Sequence, residues 1–209
     1  MVSPPIDNGA STVTAHPTEQ PQATVVLRPS LAGQSRILQS PRARSLAIRH
    51  CRASGSACAA TSKFYRGEAL QAAGPEGRDV ESIAAGSTLE IEQAVSRVLH
   101  RLVRDESVAP ADIVVLVSSS RTGPLKEDSV VGAFELTGDQ NAEPGKVLLE
   151  SIRRFKGLER QVVIVTGIDD LAPEDEHGML YVALSRARAH LVVIAAASTI
   201  ARCQGPACP

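Results

Sequence analysis

Apolar residues recur at steps of three and four along Ile91, Ala94, Val95, Val98, Leu99, Leu102 and Val103. That spacing puts them on one face of a helix. Gly86 precedes the run, Ser87 or Thr88 can cap it, and Pro110 closes the connection that follows. Before it, DVESIA (79–84) alternates like a short strand. The later pattern is of continuous aliphatic blocks: DIVVLVSSS (112–120), VVGAFEL (130–136), KVLLESI (146–152), QVVIVTGI (161–168) and HLVVIAAA (190–197). Each reads as a strand, and the polar end of the first falls where α/β proteins place ligands. Between the last two blocks, DDLAPEDEHG (169–178) reads as an acidic loop and LYVALSRAR (180–188) as a helix. At about 100 degrees per residue, Leu180, Ala183, Leu184 and Ala187 then share an apolar face, with Arg186 and Arg188 flanking it on opposite sides. Helices alternating with aliphatic strands over short connections predict an α/β fold, a mainly parallel sheet covered by helices.

Composition sharpens this picture. The 209 residues are 43% hydrophobic but only 2% aromatic, so the core must rest on Val, Leu, Ile and Ala, as buried parallel sheets do. The net charge of −1 hides an asymmetry: residues 1–60 carry six Arg against Asp7 and Glu19, and the remainder carries 16 basic against 21 acidic residues. No global field announces nucleic acid, so any such contact must be a local patch. Residues 1–44, rich in Pro, Ser and Gln, read as a disordered or non-homologous segment. Their six prolines oppose the amphipathic helix of a transit peptide. The packed lobe is expected over 45–200, with a flexible tail at 201–209. Cys51, Cys58, Cys203 and Cys208 form two loose pairs with no secretory segment ahead of them, which points to free thiols in a reduced, cytoplasmic chain and to no metal site. The longest apolar block is too short to cross a membrane.

Candidate chemistry lies in SIRRFKGLE (151–159). Gly157 permits a tight turn where backbone N–H groups can face an anion, and Arg153, Arg154 and Lys156 add positive charge. On the local string alone, an ordinary loop with solvated basic side chains accounts for it. The order KGLE, aliphatic strand, acidic stretch, LYVALSRAR, aliphatic strand resembles the carboxyl-terminal motor lobe of UvrD/Rep-type superfamily 1 DNA helicases. That family carries T-x-H-x-x-KGLE and YVA-x-[ST]-RA motifs in this order. Upstream, HCRAS (50–54), FYRGE (64–68) and GPEGRDVES (74–82) are similar to its N-[YC]-R-[ST]-T motif and the segment after it. The resemblance covers roughly residues 45–197 and is strongest over 146–195. His50 replaces the family's Asn, Ala53-Ser54 its hydroxyl pair, Ser151 its Thr and Arg153 its His.

The resemblance implies a RecA-like lobe. In such motors Mg-ATP lies between two lobes, one bearing the phosphate loop and the other supplying arginines that stabilise charge developing on the γ-phosphate. Here it implies Arg186 and Arg52 in that role, and Gly157 and Glu159 at the nucleotide. It also implies Ser151, Arg153, Arg154 and Lys156 on a single-stranded DNA surface. Arg188 receives no role and is expected to pair with the 169–176 acids. Asp169-Asp170 looks like a Mg²⁺-binding pair after a strand, but Thr166, Gly167 and Ile168 intervene. A phosphate loop requires G-x-x-x-x-G-K-[ST]. The only Gly-Lys pair, Gly145-Lys146, has Gln140 at the first glycine's position and Val147 after the lysine. ATP with Mg²⁺ is therefore expected only in complex with a separately encoded phosphate-loop lobe. Two alternatives stay open: a non-catalytic nucleic-acid or protein-binding module, and a truncated or decayed helicase fragment.

Overall fold

The computed structural model describes residues 49–65, 70–74, 76–141 and 143–204. The readings of residues 1–44 and of 205–209, Cys208 included, lie outside the described residues. In chain order the elements are β1 (Arg49–Cys51), α1 (Gly55–Ser62), β2 (Leu70–Ala72), β3 (Glu81–Ala84), α2 (Thr88–His100), β4 (Ile113–Val117), β5 (Val130–Val131) and β6 (Phe134–Thr137). There follow β7 (Val147–Ser151), β8 (Arg160–Thr166), α3 (Pro173–Leu184), β9 (Ala187–Ala195) and α4 (Ala197–Gln204). Among the described residues, seven strands form a sheet in the order β3-β9-β8-β4-β7-β6-β5, and β1 pairs with β2 separately. All pairings are parallel except the β5–β6 hairpin. The expected α/β architecture is the observed one.

The aliphatic blocks make central strands because both of their faces are covered. Successive side chains on a strand point to opposite faces. Val114, Leu116, Val163, Val165, Leu191 and Val193 therefore pack with Ala57, Leu180 and Leu184 of α1 and α3. Ile113, Val115, Val117, Ile164, Val192 and Ile194 pack on the other side with Ile91, Val95 and Leu99 of α2. Helix α2 starts in a capping box: Glu90 N donates to Ser87 Oγ at 3.3 Å and Ser87 N donates to Glu90 Oε2 at 3.1 Å. The apolar stripe then runs on into a π-helical turn, Arg101–Asp105, which buries Leu102.

Four expectations need correction. The block 130–136 is not one strand but a hairpin, turning at Gly132. The acidic stretch is not a loop throughout, because α3 begins at Pro173. Proline in the first turn sacrifices no hydrogen bond there, and Glu174, Asp175 and Glu176 face the positive end of the helix dipole. The helix read over 180–188 ends at Leu184, since Ala187 is already paired with Arg160 of β8. Arg186 thus lies in a turn and Arg188 on a strand, and the opposite-flank geometry does not apply. Helix α4 also runs into the segment read as a tail and buries Cys203. Among the described residues no helix is long and apolar enough to cross a membrane.

Where β3, β9 and the π-turn meet, Arg101 Nη2 donates to Glu81 Oε2 at 2.6 Å, and His190 Nε2 lies 3.3 Å from the same oxygen. Burial outweighs Glu81 and keeps His190 below its ordinary pKa. Burial pushes Glu81 up, but its bonds to Arg101 and His190 together hold it below the usual carboxylate value. Both groups bind fewer protons folded than unfolded. The stability they contribute is complete above about pH 6.5 and is lost as pH falls, His190 first and Glu81 at more acid pH. Thermal unfolding midpoints measured from about pH 7.5 down to about pH 5 should fall, and His190→Gln should flatten that slope. A slope unchanged in the variant would count against His190 as its source.

Candidate functional site

Ser151 and Arg186 lie at opposite ends of the parallel strands, and residues 152–159 lead from the first end to the second. At the amino-terminal ends of β8 and β9, Arg160 N donates to Arg186 O at 3.2 Å, and Ser54 N donates to Ala187 O at 3.1 Å. The second bond sets the Arg52 segment beside the Arg186 segment. Ser54 also caps α1, accepting from Ala57 N at 3.4 Å, which gives the serine of HCRAS a local reason. The half-buried Arg186 turns back onto the end of α3. Its Nε donates to Val182 O at 2.9 Å and to Ser185 Oγ at 3.1 Å, and Nη2 donates to Ser185 Oγ at 2.7 Å. One edge of the guanidinium is thereby fixed, and the side chain makes no ion pair among the described residues. Arg52 is exposed and likewise unpaired among the described residues. Gly157 holds φ +92, a conformation that L side chains rarely adopt, although the space around it is open. Glu159, partly exposed, precedes the first residue of β8.

At the carboxyl-terminal end of β7, Ile152 N donates to Val117 O at 2.9 Å. Ile152 and Phe155 are fully buried, and Arg153, Arg154 and Lys156 are exposed. The string I-R-R-F-K therefore folds as a turn whose apolar residues anchor it and whose cations face outward. Ser151 closes β7 and accepts from Arg154 N at 3.4 Å. Much of the positive charge is answered locally. Arg153 Nη2 meets Asp175 Oδ2 at 2.6 Å, and Arg154 lies 3.4 Å from Glu150 and 3.7 Å from Glu127. Lys156 makes no ion pair among the described residues. Glu150, 1% exposed, was not foreseen; its signal is a lone charge inside an aliphatic strand.

Arg188 is exposed without an ion pair among the described residues, contrary to the expected contact with the acidic stretch. Asp175 takes Arg153 instead, and Glu176 takes Arg202 at 3.1 Å. Asp169 accepts from Ala196 N at 2.8 Å and so ties the strand ends. Among the described residues no group of three or more His, Cys, Asp or Glu could hold a metal ion. Ser185 and the Val182 carbonyl are the partners that the sequence reading missed. Ser185 was visible in the SRA string, but its contact with Arg186 depends on where α3 stops.

The family model of the UvrD-like helicase C-terminal domain matches residues 146–194. Over that span, β7 to β9, the chain resembles this domain; Arg52 falls outside the match. Among solved structures, the C-terminal domain of a possible DNA helicase from Lactobacillus plantarum WCFS1 is similar at a TM-score of 0.46 and 20% identity, covering 69% of this chain and 86% of that one. No curated protein matches the chain.

Proposed function

We propose that this chain is the carboxyl-terminal motor lobe of an ATP-dependent DNA helicase, supplying Arg186 and Arg52 to the γ-phosphate of Mg-ATP held by a phosphate-loop lobe. The observation that carries this reading is the convergence, at the amino-terminal ends of β8 and β9, of the segments bearing Arg52, Glu159 and Arg186 through the Ser54–Ala187 and Arg160–Arg186 backbone bonds. An arginine already bound along one edge of its guanidinium loses little further freedom when the other edge meets a phosphate. Ser151, Arg153, Arg154 and Lys156, at the end of β7 and on the turn that follows it, form the single-stranded DNA surface in this reading.

Arginines that stabilise a transition state cannot replace the loop and metal that hold the substrate. The purified chain should therefore release no phosphate from Mg-ATP, with or without single-stranded DNA. Turnover that persists through repurification would overturn the reading. With three or four phosphate contacts, binding of labelled single-stranded DNA should be weak, with a log–log salt slope of roughly −2 to −3. Salt-independent binding, or none at low salt, would remove the β7 end as the nucleic-acid surface.

A further inference from the structure

Strand β9 carries a bulge beside Arg186. Arg160 pairs with Ala187 and Val162 with His190, so Arg188 and Ala189 together oppose Gln161 alone. An extra residue changes the face on which the side chains before it lie relative to those after it, and bulges re-aim neighbouring side chains. Four ties hold this one in place. Ser54 N bonds Ala187 O, Arg160 N bonds Arg186 O, Arg78 N bonds Ala189 O at 2.9 Å, and His190 meets Glu81. Gly77 is wedged between them: a Cβ there would stand 2.3 Å from Ser54 Cβ and 2.4 Å from Ala189 O. Of these ties, the His190–Glu81 contact is the one made by side chains alone. His190 is 6% exposed, and Glu81 is itself held by Arg101.

We propose that His190, through Glu81, is the positioning residue for Arg186: it anchors the carboxyl side of the β9 bulge and so fixes the path along which the chain carries Arg186 onto the end of α3. The inference rests on the reading of Arg186 as the arginine of the nucleotide cleft. It also accounts for the different fates of two arginines only two residues apart. The bulge sends Arg188 to solvent and leaves Arg186 bound to Val182 O and Ser185 Oγ.

The test is hydrogen exchange at the Arg186 side-chain Nε–H, followed by NMR in the isolated chain and assigned by its loss in Arg186→Lys. In the wild type this hydrogen should be protected. His190→Leu should speed its exchange by about tenfold or more in a chain that remains folded. His190→Gln should preserve protection, because its amide N–H can still reach Glu81. Should His190→Leu fail to fold, Glu81→Ala at the partly exposed edge strand removes the same tie and should show the same loss. Arg186 exchange within about twofold of wild type in either folded variant, or equal losses in the Leu and Gln variants, overturns the proposal. The measurement uses no nucleotide, so it is separable from the functional reading. If Arg186 loosens in His190→Leu while Arg186→Ala leaves a reconstituted motor unaffected, the positioning stands and the nucleotide role falls.

Discussion

In a complex with a phosphate-loop lobe, whether the native partner or one from a related helicase, Arg186→Ala is expected to lower ATP turnover by about 10³-fold or more. ATP affinity should change far less, because the lost contact acts mainly on charge that develops during transfer. Arg186→Lys should also be impaired, since a compact ammonium cannot hold Val182 O and Ser185 Oγ along one edge and present a second edge to phosphate. Arg188→Ala is the control. It is exposed and unpaired among the described residues, so stability should move by no more than about 0.5 kcal/mol and turnover hardly at all. The comparison is steady-state turnover of the three variants in one complex. Equal losses at both positions would point to a damaged strand start, and a larger loss at Arg188 would mean the wrong arginine has been assigned.

The largest effect on stability is expected from Phe155→Ala. This ring is fully buried in the face of the core that contains Leu116, Val163 and Leu180, and it belongs to the turn that presents the basic residues. Removing it leaves a cavity in a close-packed interior and should cost about 3–5 kcal/mol. The urea midpoint should then fall by at least about 1 M. Its exposed neighbour Lys156→Ala should leave the midpoint within error while weakening the DNA binding proposed for this turn. A midpoint unmoved by Phe155→Ala would mean that the turn is not anchored by this ring.

How much was legible in the sequence depended on what each stretch buries. β4, β7, β8 and β9 were visible as aliphatic runs because neighbours cover them on both faces, and α2 was visible because one face alone is apolar and Ser87 and Glu90 mark its start. The hairpin at Gly132 was misread because two short strands and a tight turn give the same apolar string as one longer strand. α1 escaped notice because GSACAATS packs small residues and shows no stripe. α3 was placed too late because its charged first turn looked like a loop, and too long because nothing local reveals that Ala187 finds a partner 27 positions earlier, at Arg160. The candidate residues were named through motif resemblance. Their arrangement follows from long-range backbone bonds, such as Ser54 to Ala187, that no local pattern encodes.

The position of β8 has a mechanical consequence. Its first residue is bonded to Arg186 and its last lies, through Val117, level with Ser151, so its seven residues, about 23 Å at the usual rise per residue, run from one to the other. Its interior residues are locked between two cores, so a slip of one residue would invert every side chain. Buried on both faces and fixed in register, such a strand suits the part of a strut. In the proposed motor, a push from a nucleotide at Arg186 would reach DNA held near Ser151 as a tilt of the whole lobe, with the lever length set by the sheet itself.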